Sequence, residues 1–235
     1  MYPNTSQITI AQARQEASSI FLAKVFNWMA MGLGLTGIIA YFTAGTGLAQ
    51  TIVASPLFMV LIFAELGLVF YLSARIEKIQ ASTAAGLFIG YSALNGLTLS
   101  TVFLAYTSSS IAGTFFITAG MFGAMALYGL VTKRDLSGLG SFLFMGLIGL
   151  IIASVVNIFL TNSGLDWIIS LIGVGIFTGL TAYDVQKIKR MGEEGILEQG
   201  EAAVKKGAIL GALALYLDFI NLFLMLLRFF GGSRD

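Results

Sequence analysis

The sequence predicts an all-α polytopic membrane protein with seven transmembrane helices, and three observations carry that prediction. Of 235 residues, 57% are hydrophobic and only 11% are charged, whereas an ordinary soluble domain carries about a quarter charged residues. The mean hydropathy is +0.89. The apolar residues are also grouped into seven runs, each close to the roughly 20 residues that an α-helix needs to cross about 30 Å of hydrocarbon. These runs leave no room for a separate soluble catalytic domain.

Residues 1–23 form a polar N-terminal segment without an apolar core, which does not read as a cleaved secretory signal and is expected to stay in the cytosol. Within it, Thr9 and Gln12 have the spacing of a capping box, opening a helix that carries Ile20, Phe21 and Val25 into the first span at 24–45. The second run, 57–74, stops at Arg75 and Lys78, and the third, 84–105, starts beyond them. The fourth, 111–132, stops at Lys133 and Arg134. The fifth covers 139–161, and the sixth covers 165–184, with Lys187, Lys189 and Arg190 following. After a linker ending in Lys205 and Lys206, the seventh runs over 207–229, so that 1–235 reads as a single transmembrane domain.

Charge sets the orientation and narrows the chemistry. With the N-terminus inside, the inner segments hold eleven Lys and Arg residues, including Arg14 and Lys24, and the outer tail holds only Arg228 and Arg234. That split follows the inside-positive rule and places the C-terminus outside. A net charge of +1 supplies no basic field for nucleic acid. Zero Cys excludes disulfides, thiolate nucleophiles and iron–sulfur clusters, and zero His removes the usual zinc ligand and general base. No cofactor is expected.

Apolar helices in lipid gain nothing from the hydrophobic effect by associating, so small residues and polar bonds must hold them together. The pairs Gly86 and Gly90, Gly175 and Gly179, and Gly207 and Gly211 have G-x-x-x-G spacing and read as helix-packing faces. Gly173, Gly175 and Gly179 miss the dinucleotide-binding spacing, because Thr178 intervenes and no strand precedes them. Asn27, Asn95 and Asn157 read as polar contacts between helices.

Three acids stand where an ionised carboxylate costs about 2.5–3.5 kcal/mol on insertion scales. Asp218 lies eleven residues from either end of the run Gly207 to Phe229, close to the bilayer midplane. Asp184 ends the apolar part of the sixth run as Tyr183-Asp184, and Glu65 interrupts the second near its middle. Asp218 and Glu65 have a plainer reading as neutral, hydrogen-bonded acids, and Asp184, beside Lys187, Lys189 and Arg190, as a helix-end charge. For Asp218 the partner would be Asn221, one turn along, or an Asn of another span. Antiparallel packing of the sixth and seventh helices would bring Asp184 and Asp218 together. Such a pair would share one proton and titrate as a unit, and fully ionised it is a hard oxygen site suited to transient Ca²⁺ binding. Arg75 is either a counter-charge able to turn inward to an acid or an inside-positive anchor.

The run Leu215-Tyr216-Leu217-Asp218-Phe219-Ile220-Asn221-Leu222-Phe223, followed by Leu226-Leu227-Arg228-Phe229-Phe230-Gly231, resembles the signature of the transmembrane Bax inhibitor motif family. Supporting matches are Thr181-Ala182-Tyr183-Asp184-Val185-Gln186, Lys133-Arg134-Asp135-Leu136-Ser137 and Asn157-Ile158-Phe159. The resemblance covers essentially the whole chain, with the first forty residues matching least. It implies seven helices with the last one central between two three-helix layers, acting as a pH-sensitive Ca²⁺ leak regulated by protons. It further implies that Asp184 and Asp218 form the pH-sensing dyad, that Arg75 exchanges onto the last-helix acid, and that Glu65 is a second acid on the cation path. The linker Met191 to Lys206 is longer than in the shortest bacterial members. The short tails and the absence of Cys fit a bacterial inner-membrane protein.

Two other functions compete with a leak channel or slow cation transporter. One is a membrane-embedded regulator that docks on a membrane protease or another channel through its glycine faces and acidic linker. The other is intramembrane aspartyl proteolysis, since paired acids can activate water. The protease motifs are missing, however: Leu215-Tyr216-Leu217 precedes Asp218 in place of G-x-G, and the only prolines are Pro3 and Pro56. The expectation is therefore no enzyme, with the lipid bilayer, Ca²⁺ and a membrane protein as partners. The stretch from Leu222 to Phe230 reads as mostly lipid-facing, with a hydrophobic gate as the other reading.

Overall fold

The computed structural model describes the backbone of residues 5–232 and the side chains of residues 12–232. Among the described residues the chain is all-α, without a strand: α1 (Thr5–Gly45), α2 (Leu48–Ala54), α3 (Leu57–Arg75), α4 (Ala81–Leu99), α5 (Val102–Ala105), α6 (Ser108–Val131), α7 (Ser137–Leu160), α8 (Ser163–Glu193) and α9 (Glu201–Phe230). Seven spans in it are long and apolar enough to cross a membrane, matching the seven runs of the sequence. Arg234 lies outside the described residues.

The boundaries differ from the hydropathy runs where helices continue past the lipid. α1 begins at Thr5, so Thr9 sits inside it rather than capping it, and residues 5–23 are the first part of one unbroken helix. α8 runs on to Glu193, beyond the end of the apolar run at Asp184, because its charged last turns still make helix bonds and a Lys189–Glu193 ion pair at 3.7 Å. Hydropathy reports where lipid contact ends, not where hydrogen bonding ends. α2, a short helix between the first two spans that buries Ala49 and Ile52, has no counterpart in the runs. Thr107 caps α6 by accepting from the Ser110 amide, and the Asn162 side chain accepts from Leu165 at the start of α8. The chain leaves α8 and enters α9 through Gly195 and Gly200, whose φ angles of 87° and 90° favour a residue without Cβ.

The chain divides into two compact units. The first comprises residues up to 101 together with 187–214, the second 102–186 together with residues from 215 onward. Consequently α9 contributes its first half to one unit and its second half to the other. It is the most enclosed span, with 67% of its apolar window buried, against 11–44% for the other six.

In the first unit, α1 and α4 approach closely. A Cβ on Gly96 would stand 2.9 Å from the Thr36 carbonyl oxygen, and Thr36 Oγ1 donates to the Ser92 carbonyl at 2.8 Å. Gly207 and Gly211 of α9 face Phe21 and Val25 of α1, stepping forward together, so these two helices run parallel in this unit. In the second unit, α7, α8 and α9 enclose Leu143, Leu150, Ile176, Phe177, Leu180, Leu222, Met225 and Leu226. Phe219 is wedged edge-on between Phe115 and Phe122 of α6, each 5.5 Å away. At the far end of this unit Arg228 pairs with Asp166 at 3.3 Å, and Trp167 lies against Phe229.

Two expectations are corrected here. The G-x-x-x-G pairs are not uniformly packing faces: Gly207 and Gly211 are packed, Gly179 meets Leu143, but Gly86, Gly90 and Gly175 meet nothing within 4 Å. Close approach instead uses single glycines set by the crossing geometry, among them Gly96, Gly129 and Gly140. The stretch after Asp218 is not mostly lipid-facing either. Leu222, Phe223, Met225, Leu226 and Leu227 are buried, because α9 is wrapped by its neighbours.

Candidate functional site

The site grows from α8 and α9 of the second unit. Asp218 is buried on α9, with only 4% of its surface exposed, among Leu215, Tyr216, Phe219 and Leu222, which are themselves buried. Asp184 is half-buried on α8. The two side chains lie within hydrogen-bonding reach of each other. A carboxylate is an acceptor only, so two carboxyl groups bond to each other only with a proton between them. Asp218 Oδ2 is buried and has no hydrogen-bond partner among the described residues. Gain or loss of a single proton changes the charge of the pair by one.

The two residues before Asp184 each pack closely on a glycine. The Ala182 carbonyl rests directly on Gly129 of α6, where any side chain would collide with it. The Tyr183 ring lies over Gly140 of α7, its carbons 2.5 Å from where a Cβ would stand. Two residues past Asp184, buried Gln186 clasps the turn between α6 and α7. Its Oε1 accepts from the Leu136 amide at 2.9 Å, and its Nε2 donates to the Arg134 carbonyl at 2.8 Å. Gln186 is the residue whose role the sequence reading passed over. The available signal was an uncharged amide among the lysines that end the sixth run, next to a loop with backbone groups to satisfy.

The other candidates are placed as follows. Tyr183 stands beside the pair, as its position in the chain requires. Asn221 turns its amide back onto its own helix, Nδ2 donating to the Leu217 carbonyl at 2.8 Å. Asn157 does not support the pair, and its side chain makes a local turn contact instead of the expected interhelical one. Its Oδ1 accepts from the Asn162 amide at 3.1 Å, and it stands seventeen residues along α7 from Gly140, about 25 Å from the Tyr183 contact. Glu65 belongs to the first unit, where both of its oxygens accept from α4: Asn95 Nδ2 at 3.1 Å and Thr98 Oγ1 at 2.5 Å. Asn95 is thus the interhelical contact expected of it. Arg75, also in the first unit, ends α3 with its side chain exposed.

Two carboxylates offer at most four oxygens, and no third acid gathers with them among the described residues. Ca²⁺ takes six to eight oxygens, so water and backbone carbonyls would have to complete its shell at this pair.

The chain is similar over residues 18–235 to the family described as inhibitor of apoptosis-promoting Bax1. Among curated proteins it is 53% identical to the inner membrane protein YbhL of Escherichia coli K12, over 91% of this chain and 92% of the relative. It is 47% identical to an uncharacterized protein of Borreliella burgdorferi, over 97% and 99% of the two chains. It is 45% identical to one of Deinococcus radiodurans, over 98% and 96%.

Proposed function

This chain belongs to the Bax inhibitor family of integral membrane proteins, and from that premise we propose that it is a pH-sensitive Ca²⁺ leak or slow cation transporter. Asp184 and Asp218 act as the coupled proton sensor and transient cation site. The observation that carries the reading is the contact between these two acids on the most enclosed helix of the chain. Beyond Asp218, Leu222, Met225 and Leu226 seal the core of the second unit. A pair carrying two charges draws in a cation and pushes its two helices apart, whereas a shared proton keeps them together. Arg75 serves as the exchangeable counter-charge and Glu65 as a second acid on the path. The name of the Escherichia coli relative and the lysine distribution support a bacterial inner membrane, with the N-terminus cytosolic and the C-terminus outside.

The test is Ca²⁺ uptake into dye-loaded proteoliposomes containing only this protein, from mildly acidic to mildly alkaline pH. Asp218→Asn and Asp184→Asn should each flatten the pH response. Wild-type pH dependence in both variants would sink the proposal. A second reading, a regulator of a membrane protease or another channel, draws on the open Gly86 and Gly90 face of α4, which admits close approach of another helix. It expects no flux from the purified chain, and loss of function when Gly86 or Gly90 is enlarged.

A further inference from the structure

We propose that the first unit holds a binding site for a phospholipid with a phosphoethanolamine head group, between α1 and the start of α9. A cleft of about 450 Å³ opens there, within the range of small-ligand sites. α1 contributes Lys24 and Trp28, one turn apart on one face. α9 contributes Glu201, Val204, Lys205 and Ala208, which also share one face. No ion pair among the described residues joins Glu201 to either lysine, so the three charges remain available to a ligand.

The order of these groups along the helices selects the ligand. Lys24 is the last charged residue of α1, and after Lys205 and Lys206 the next charge on α9 is Asp218. The cleft therefore straddles the level at which both helices pass from charged to apolar sequence. Because α1 and α9 run parallel here, depth increases along both. Glu201 is outermost, Lys205 lies one turn, about 6 Å, deeper, and Ala208 lies about 10 Å deeper than Glu201. Lys24 directs its stem back toward the charged end, as long helical side chains do. A phospholipid entering from the bilayer presents the same sequence: acyl chain against Trp28 and Ala208, phosphate between Lys24 and Lys205, terminal group at Glu201. A carboxylate at that outer position matches an ammonium and repels a second anion. An ethanolamine ammonium also donates hydrogen bonds to the carboxylate, which a choline group lacks the N–H to make. The charge set of two lysines and one acid thus complements phosphoethanolamine better than phosphoglycerol or phosphocholine.

The experiment is native mass spectrometry of the full chain, delipidated in detergent and titrated with phosphatidylethanolamine, phosphatidylglycerol and phosphatidylcholine of identical chains. Phosphatidylethanolamine should be retained most strongly. Lys24→Ala and Lys205→Ala should each weaken it about fivefold, the effect of one basic residue at a lipid phosphate. Glu201→Gln should weaken phosphatidylethanolamine while strengthening phosphatidylglycerol, a reversal that loss of folding does not produce. As a second readout, phosphatidylethanolamine with brominated chains should quench Trp28 fluorescence in a Trp167→Phe background, and Lys205→Ala should relieve the quenching. Equal binding of the three lipids, or Glu201→Gln without any change of preference, would overturn the proposal. Stronger retention of phosphatidylglycerol by the wild type would assign the cleft to anionic lipid and overturn it equally.

Discussion

Gly129→Ala is the sharpest test of how the acid-bearing helix is held. The added methyl would meet the carbonyl oxygen of Ala182 at a separation that real Cβ atoms do not adopt, with the Ala182 Cα at 3.1 Å as well. Both obstructing atoms are backbone, so no rotamer change relieves the clash, and α6 and α8 must part. Overpacking of this kind costs about 1–3 kcal/mol, and the absence of a flexible neighbour places this case near the upper end. The better helix propensity of Ala returns about 1 kcal/mol. The net loss is then about 1–2 kcal/mol, a fall in Tm of about 2–8 °C for a chain of this length. The control is Gly123→Ala on the same helix, where nothing lies within 4 Å of the added methyl. Thermal unfolding of both variants in the same detergent, followed by tryptophan fluorescence, provides the measurement. Equal stability of the two variants would refute the reading, since only the contact with Ala182 distinguishes them. Because Ala182 precedes Asp184 by two residues, Gly129→Ala should also disturb the pH response proposed above, and Gly123→Ala should leave it intact.

Further outcomes follow from the same geometry. Gln186→Ala removes both bonds that clasp the turn between α6 and α7, which should cost about 1–3 kcal/mol, seen in thermal unfolding and in faster proteolysis near Arg134. Glu65→Leu removes the acceptor that the Asn95 amide and the Thr98 hydroxyl share. Stability should fall by about 1–3 kcal/mol, whereas Glu65→Gln should lose less because its amide oxygen still accepts one of the two bonds. Arg228→Ala breaks an ion pair whose partners are both close to half exposed, so it should cost less than about 1 kcal/mol and the difference should vanish in high salt. A larger loss at that position would mean that the arginine stem is packing rather than pairing.

The number and type of the helices were legible because membrane spans are written in composition: twenty apolar residues in a row admit few other structures. Asp218 was equally legible, since an acid in the middle of such a run must be explained. Its contact with Asp184 followed from antiparallel packing of consecutive helices, and the structure brings the two together. Hydropathy misled where burial and lipid exposure look alike. Leu222 to Leu227 are apolar in either setting, and only the three-dimensional fold decides that they face protein. The glycines misled for a similar reason. A pair such as Gly86 and Gly90 marks a surface that can be approached, but which surface is approached depends on crossing points that no local pattern encodes. Gln186 was missed because its partners are backbone groups, which carry no sequence signature at all.

The division of α9 between the two units has a consequence for how this protein is made. Neither unit contains a complete set of its own segments until α9 has begun to leave the ribosome, since residues 201–214 complete one and residues from 215 complete the other. Six spans must wait in the bilayer without the span that is itself the most enclosed. A chain cut short before Leu210 therefore does not lose a terminal appendage. It loses part of each unit, and both units should stand open to membrane proteases together rather than one after the other.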